Sequence, residues 1–266
     1  PASGVADQAT LQCDNSAMFL GSGRTSSFAL IVNQGGTFTG GTGNHTIGSI
    51  ETKNNSNAKC TLTNAVTTID GEHAGDNYAL SIEGNSTFAH NSGTVTITRA
   101  SDTRIRNSGA DLALNNLIIN HASAVITLAS NGLTCAGDLT ITAGEFGTGA
   151  DKALTVTGNT VVTGTLTGNN STLIFGTDGV HGSTESGALH VESSGSLVFG
   201  SGDLTVFSGF TAKGTNTVTS TGGGDILVKG RTTNGFMNSH GHTGVNITGD
   251  YKILFDDNAL HDIRNN

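Results

Sequence analysis

Tryptophan is absent from this 266-residue chain, proline occurs once, at Pro1, and tyrosine only at Tyr78 and Tyr251. Charged residues make up 12%, about half the usual share in a globular domain. Lys and Arg total 12 against 21 Asp and Glu, for a formal net charge of −9. That balance argues against a nucleic-acid surface, because phosphate contacts need clustered cations. The one basic cluster, Arg99, Arg104 and Arg106, reads as a solvated strand face. The three cysteines are Cys13, Cys60 and Cys135. Their odd number and wide spacing fit neither a zinc site nor a disulfide framework, and a fold without disulfides suits assembly in a reducing cytoplasm. No apolar run approaches the roughly 20 residues of a membrane helix, so membrane insertion is not expected. No basic–apolar–cleavage pattern opens the chain, so neither is a signal peptide. Apolar residues at helical spacing are almost missing, which excludes a mainly helical fold.

What remains is rich in Thr, Asn and Ser, with 39 glycines. Short β-branched runs separated by Gly and Asn read as many short strands. A polar leader followed by apolar–spacer–apolar recurs. It appears at Thr94-Val95-Thr96-Ile97, Asn116-Leu117-Ile118-Ile119 and Asp138-Leu139-Thr140-Ile141, and in weaker form at Asn159-Thr160-Val161-Val162. It returns at Asp203-Leu204-Thr205-Val206 and Asp225-Ile226-Leu227-Val228, with a partial copy from Asn246-Ile247. The starts are 22, 22, 21, 44, 22 and 21 residues apart. The 44 reads as two periods with one copy missing, near His181, where Gly179 to Gly187 looks like an inserted loop.

A period of 21–22 residues matches one coil of an all-β parallel β-helix (β-solenoid) whose coils stack about 4.8 Å apart. An antiparallel sandwich has no reason for a constant period. Side chains alternate along a strand. The expected inward columns are therefore Val95, Leu117, Leu139, Leu204, Ile226 and, beside them, Ile97, Ile119, Ile141, Val162, Val206, Val228. The leading Asn or Asp is expected at a corner, bonding local backbone, with Thr facing water. Further strands are expected at 125–128, 154–156, 173–175, 189–191 and 197–199, and the eleven Phe are expected in the core.

The resulting organisation is an attachment or capping region with irregular coils over 1–93, a regular solenoid over 94–230 and a C-terminal cap over 231–266. Within that cap, 251–255 reads as a strand, and Asp256, Asp257, Ala259, Leu260 and Ile263 as a short helical turn.

The stretch Ala153-Leu-Thr-Val-Thr-Gly-Asn-Thr-Val-Val-Thr-Gly-Thr-Leu-Thr-Gly168 resembles repeats in virion surface proteins of tailed bacteriophages: tail fibres, tailspikes and head appendages. Large bacterial adhesins carry similar text. The resemblance is one of texture over residues 94–230 and carries no diagnostic motif. It implies a virion structural protein folded in the host cytoplasm, often a homotrimer, that meets other virion proteins and host-surface glycans. Pro1-Ala2 fits a start from which an initiator Met has been removed. Two other readings stand beside it: a bacterial or archaeal cell-surface adhesin or filament subunit, and a polysaccharide-degrading β-helix enzyme.

An enzyme of that last kind needs two carboxylates facing one substrate. The candidates are Asp111, Asp138, Glu145, Asp203, Asp225 and Asp250. Three of these lead repeats, which corner structure explains, and aromatic platforms for sugar are scarce, so no catalytic residue is assigned. His240-Gly241-His242 is the one suggestive metal pair. Three copies around a trimer axis would offer six nitrogens, and similar pairs bind iron in some trimeric phage fibres. A loop with two solvated histidines, flanked by Gly235, Gly241 and Gly244, explains it better, so no metal or cofactor is assigned.

Overall fold

A computed structural model describes residues 9–23, 27–73, 75–177, 188–207, 209–229, 237–238, 246–255 and 263–264. These form a parallel β-solenoid. Every strand pairing is parallel, and no helix occurs among the described residues. Each coil visits three strands in turn. One coil comprises Thr94–Ile97, Thr103–Asn107 and Leu112–Leu114, and the chain then rises into Asn116–Leu128. The first and second places in the coils join into a 19-stranded sheet, because Asn116–Leu128 and Leu139–Gly147 run unbroken from one to the other. The third place is filled by a 4-stranded and a 7-stranded sheet. Pairing continues outside the most regular stretch, from Thr10–Gln12 at one end to Ile263–Arg264 at the other.

Alternation within each short strand builds the core. Leu117 and Ile119 are buried while Ile118 between them is half-buried, and Leu139 and Ile141 flank Thr140 in the same way. Side chains from all three places meet in a single apolar cluster, with each fully buried Leu or Ile contributing about 1.5–3 kcal/mol. Phe38, Phe146, Phe175, Phe199 and Phe210 are the largest fully buried members. Not every Phe is inside: Phe19 points outward and is 77% exposed.

All eleven residues of the two expected columns are buried, but they do not form two columns. On the first face Val95, Leu117, Leu139, Thr160, Leu189 and Phe210 stand in register, with steps of 22, 22, 21, 29 and 21 residues. Leu204 and Ile226 belong to the third face, above Leu112, Leu133, Leu154 and Leu173. Val206 and Val228 go with them, and 246–249 lies on the second face. The interval of 44 holds one first-face strand, Leu189–Ser193, which Ala188 precedes in place of a polar leader, so the copy is missing from the text and not from the structure. The chain crosses that region in one enlarged coil, and the repeat text changes face because two corners use the same polar-then-apolar pattern. The expected inserted loop, 179–187, lies outside the described residues, as do 256–262 of the expected helical turn. Ile263 itself is in a strand paired with Met237–Asn238.

The remaining expected strands are present, as Leu154–Val156, Leu173–Phe175, Leu189–Ser193, Ser196–Phe199 and Ile253–Phe255, with 125–128 inside Asn116–Leu128.

Candidate functional site

The polar leaders sit at corners, but their bonds are not local. Asn116 Oδ1 accepts the Asp138 N–H at 2.8 Å, one coil up, and Asp138 Oδ1 accepts the Asn159 N–H at 2.8 Å. Asp111 takes the Gly132 N–H, Asp203 that of Asp225, and Asp225 that of Lys252. Each side chain thus supplies an acceptor to backbone that the strand ladder leaves unpaired at the turn. Four of the six candidate acids are accounted for in this way. Of the other two, Glu145 lies on the strand Leu139–Gly147 and Asp250 is exposed beyond Asn246–Gly249. The fold spreads these six acids over many coils and does not assemble them into one site.

Arg99 and Arg106 are not simply solvated. Arg99 Nη2 lies 3.2 Å from Glu72 Oε1. Arg106 Nη2 donates to Glu83 Oε1 at 2.7 Å and to Ser81 Oγ at 2.7 Å, and its guanidinium stacks 4.5 Å over the Tyr78 ring. Arg104 alone stays exposed. These pairs tie neighbouring coils together. Cys60 and Cys135 are buried in the core, where desolvation pushes both thiols up to about 12. As neutral thiols they behave as small apolar side chains. His240 and His242 lie outside the described residues, and no metal-holding cluster of His, Cys, Asp and Glu occurs among the described ones.

Sequence reasoning missed a polar trough on the outward side of the first face. Thr140, Val161 and His190 stand side by side on three successive strands. With Asp138, Asn159 and Glu192 they line a recess of about 310 Å³. His190 Nδ1 lies 3.9 Å from Glu192 Oε1. Farther along the same strands, Thr142, Glu145, Thr163 and Ser194 help to line a second recess of about 510 Å³. The second recess begins where the first ends and lies at the bend onto the second face, to which Glu145 and Thr165 belong. The neighbours are 21 and 29 residues apart, and the unequal step conceals the grouping in the linear text.

At the bend between first and second faces, a Cβ on Gly144 would overlap the His121 imidazole, and Gly144 has φ +76°. Only glycine suits both constraints. His121 is buried, and its Nδ1 accepts the Ala124 N–H at 2.9 Å. Burial lowers its pKa from the ordinary 6.5; the Glu145 carbonyl and the Asp102 charge partly offset this.

The chain matches no family model, no curated protein and no solved structure.

Proposed function

We propose that this chain is a structural protein of a tailed-phage virion: a rigid solenoid rod in a fibre, spike or capsid-surface appendage, working as a homotrimer against other virion proteins. One observation carries the mechanical part of the reading. The inward columns and the parallel ladder run coil upon coil from Leu30 to Val228 as a single apolar cluster. Bending such a rod breaks backbone bonds and core packing together, so stiffness follows from the architecture. Corner bonds from Asn and Asp brace the turns, and outward Thr keeps the faces wet. The phage placement rests on the textual resemblance of residues 94–230, and the host-glycan contact on the polar trough.

The test is solution mass together with negative-stain imaging of the purified chain. The expected result is an elongated particle of trimeric mass. A compact monomer overturns the reading and sends attention to cleavage of host polysaccharides.

A further inference from the structure

We propose that the trough on the first face, centred on Thr140, Val161 and Glu192, binds an oligosaccharide that carries no acidic groups. The inference deepens the host-contact part of the function proposed above and rests on it.

The dimensions suit a chain of sugar rings. Three strands about 4.8 Å apart make a strip about 10 Å wide, and the four residue steps from Asp138 to Thr142 span about 13 Å at ~3.3 Å each before the chain bends at Gly144 onto the second face. Two recesses, about 310 and 510 Å³, lie on it and at that bend. A hydroxyl-rich ligand needs acceptors for its O–H groups and a little apolar surface for its C–H groups. Asp138 has one oxygen committed to the Asn159 N–H, which leaves the other for a ligand. Glu192 and Glu145 add carboxylates, Thr140 and Thr142 hydroxyls that donate and accept, and Val161 an apolar patch.

Charge sets the selectivity. Among the described residues, three carboxylates line the two recesses and no Lys or Arg does. Uronic or sulfated sugars would place like charges together, whereas an amino sugar gains a charge-assisted hydrogen bond.

What sets these coils apart on this face is the titratable pair His190 and Glu192. In the same register the lower coils carry Phe19, Thr46, Thr68, Thr96 and Ile118, none of them charged or a histidine. Here the positions carry Val161 and His190, with Glu192 beside them.

The test uses the full chain and calorimetric titration with three tetrasaccharide probes: chitosan (amine-bearing), cellotetraose (neutral) and oligogalacturonate (acidic). The amine-bearing probe should bind best, the neutral one more weakly and the acidic one not at all. Glu192→Gln should weaken the amine-bearing probe about tenfold, the loss of one charge-assisted bond. Val161→Arg should abolish binding of both ligands. Thr68→Arg, on the same face outside the trough, should change nothing. Unchanged melting curves show that each variant has folded. Binding of the acidic probe, binding that survives Val161→Arg, or no binding of any probe overturns the proposal. Particle shape is measured separately: a trimeric rod that binds no sugar removes this site and leaves the structural reading standing, while a compact monomer that binds sugar does the reverse.

Discussion

Two stretches of the first face differ in a single respect. From Val95 to Thr160 successive coils repeat every 22, 22 and 21 residues, and the next step, to Leu189, takes 29. The core ignores the change: Leu139, Val162, Leu189 and Val191 are all fully buried. The corner does not. The side-chain ladder from Asn116 to Asp138 to Asn159 stops there, and the buried Asn159 Oδ1 has no partner. The inward slot at this level also holds Thr160, whose buried hydroxyl is unpartnered. Coil length is thus a property of corners, where loops lengthen freely, while the strand-to-strand register is held by the core.

The comparison can be broken most forcefully at the core. Leu139→Asp places an unpaired charge among fully buried neighbours and should cost several kcal/mol, abolishing the cooperative melt, whereas Thr140→Asp, half-exposed on the other side of the strand, should be nearly silent. Equal tolerance of the two in thermal melts sinks the inward assignment. Gly144→Ala comes next, at about 2 kcal/mol, because the methyl meets His121 and the backbone is left-handed there; denaturant titration reads it directly.

At the corner, Asp138→Ala should lower the melting temperature by a few degrees through the lost bond to Asn159 N–H, while Asn159→Ala, whose oxygen accepts nothing, should lower it less. If the two fall together, the ladder does not stop at Asn159. Thr160→Val, which removes a buried unpartnered hydroxyl and keeps the shape, should stabilise by about 1 kcal/mol.

The smallest effect is on pH. His121 has its folded pKa below 6.5, so the unfolded chain binds the proton more readily, and stability should decline as pH falls through about 6.5. A melt series from pH 7.5 to 5 should show this decline, with a shallower slope in His121→Gln.

Much of the fold is legible in the linear text because alternation is a local property: polar leader, apolar, spacer, apolar specifies a strand and which side of it is wet. Leu117, Leu139, Leu204 and Ile226 are all inward for that reason. Which face each strand joins is not local. Leu139 and Leu204 share the same words and sit on different faces, since the enlarged coil shifts the phase by an amount that only the stacked structure reveals. The trough was illegible for the same reason: Thr140, Val161 and His190 are ordinary spacer residues in the text until steps of 21 and 29 align them, and burial of His190 is not visible there. Asp138, Asp203 and Asp225, by contrast, are legible as corner residues, though their bonds reach the coil above instead of closing on local backbone. Composition and alternation by themselves determined an all-β, helix-poor, parallel coil with an aliphatic interior, because burial of apolar side chains at period two leaves few other solutions. The tertiary structure alone decided the phase of the faces, the reach of the corner bonds and the place of the trough, because each depends on how many residues the loops consume before the backbone finds its next partner.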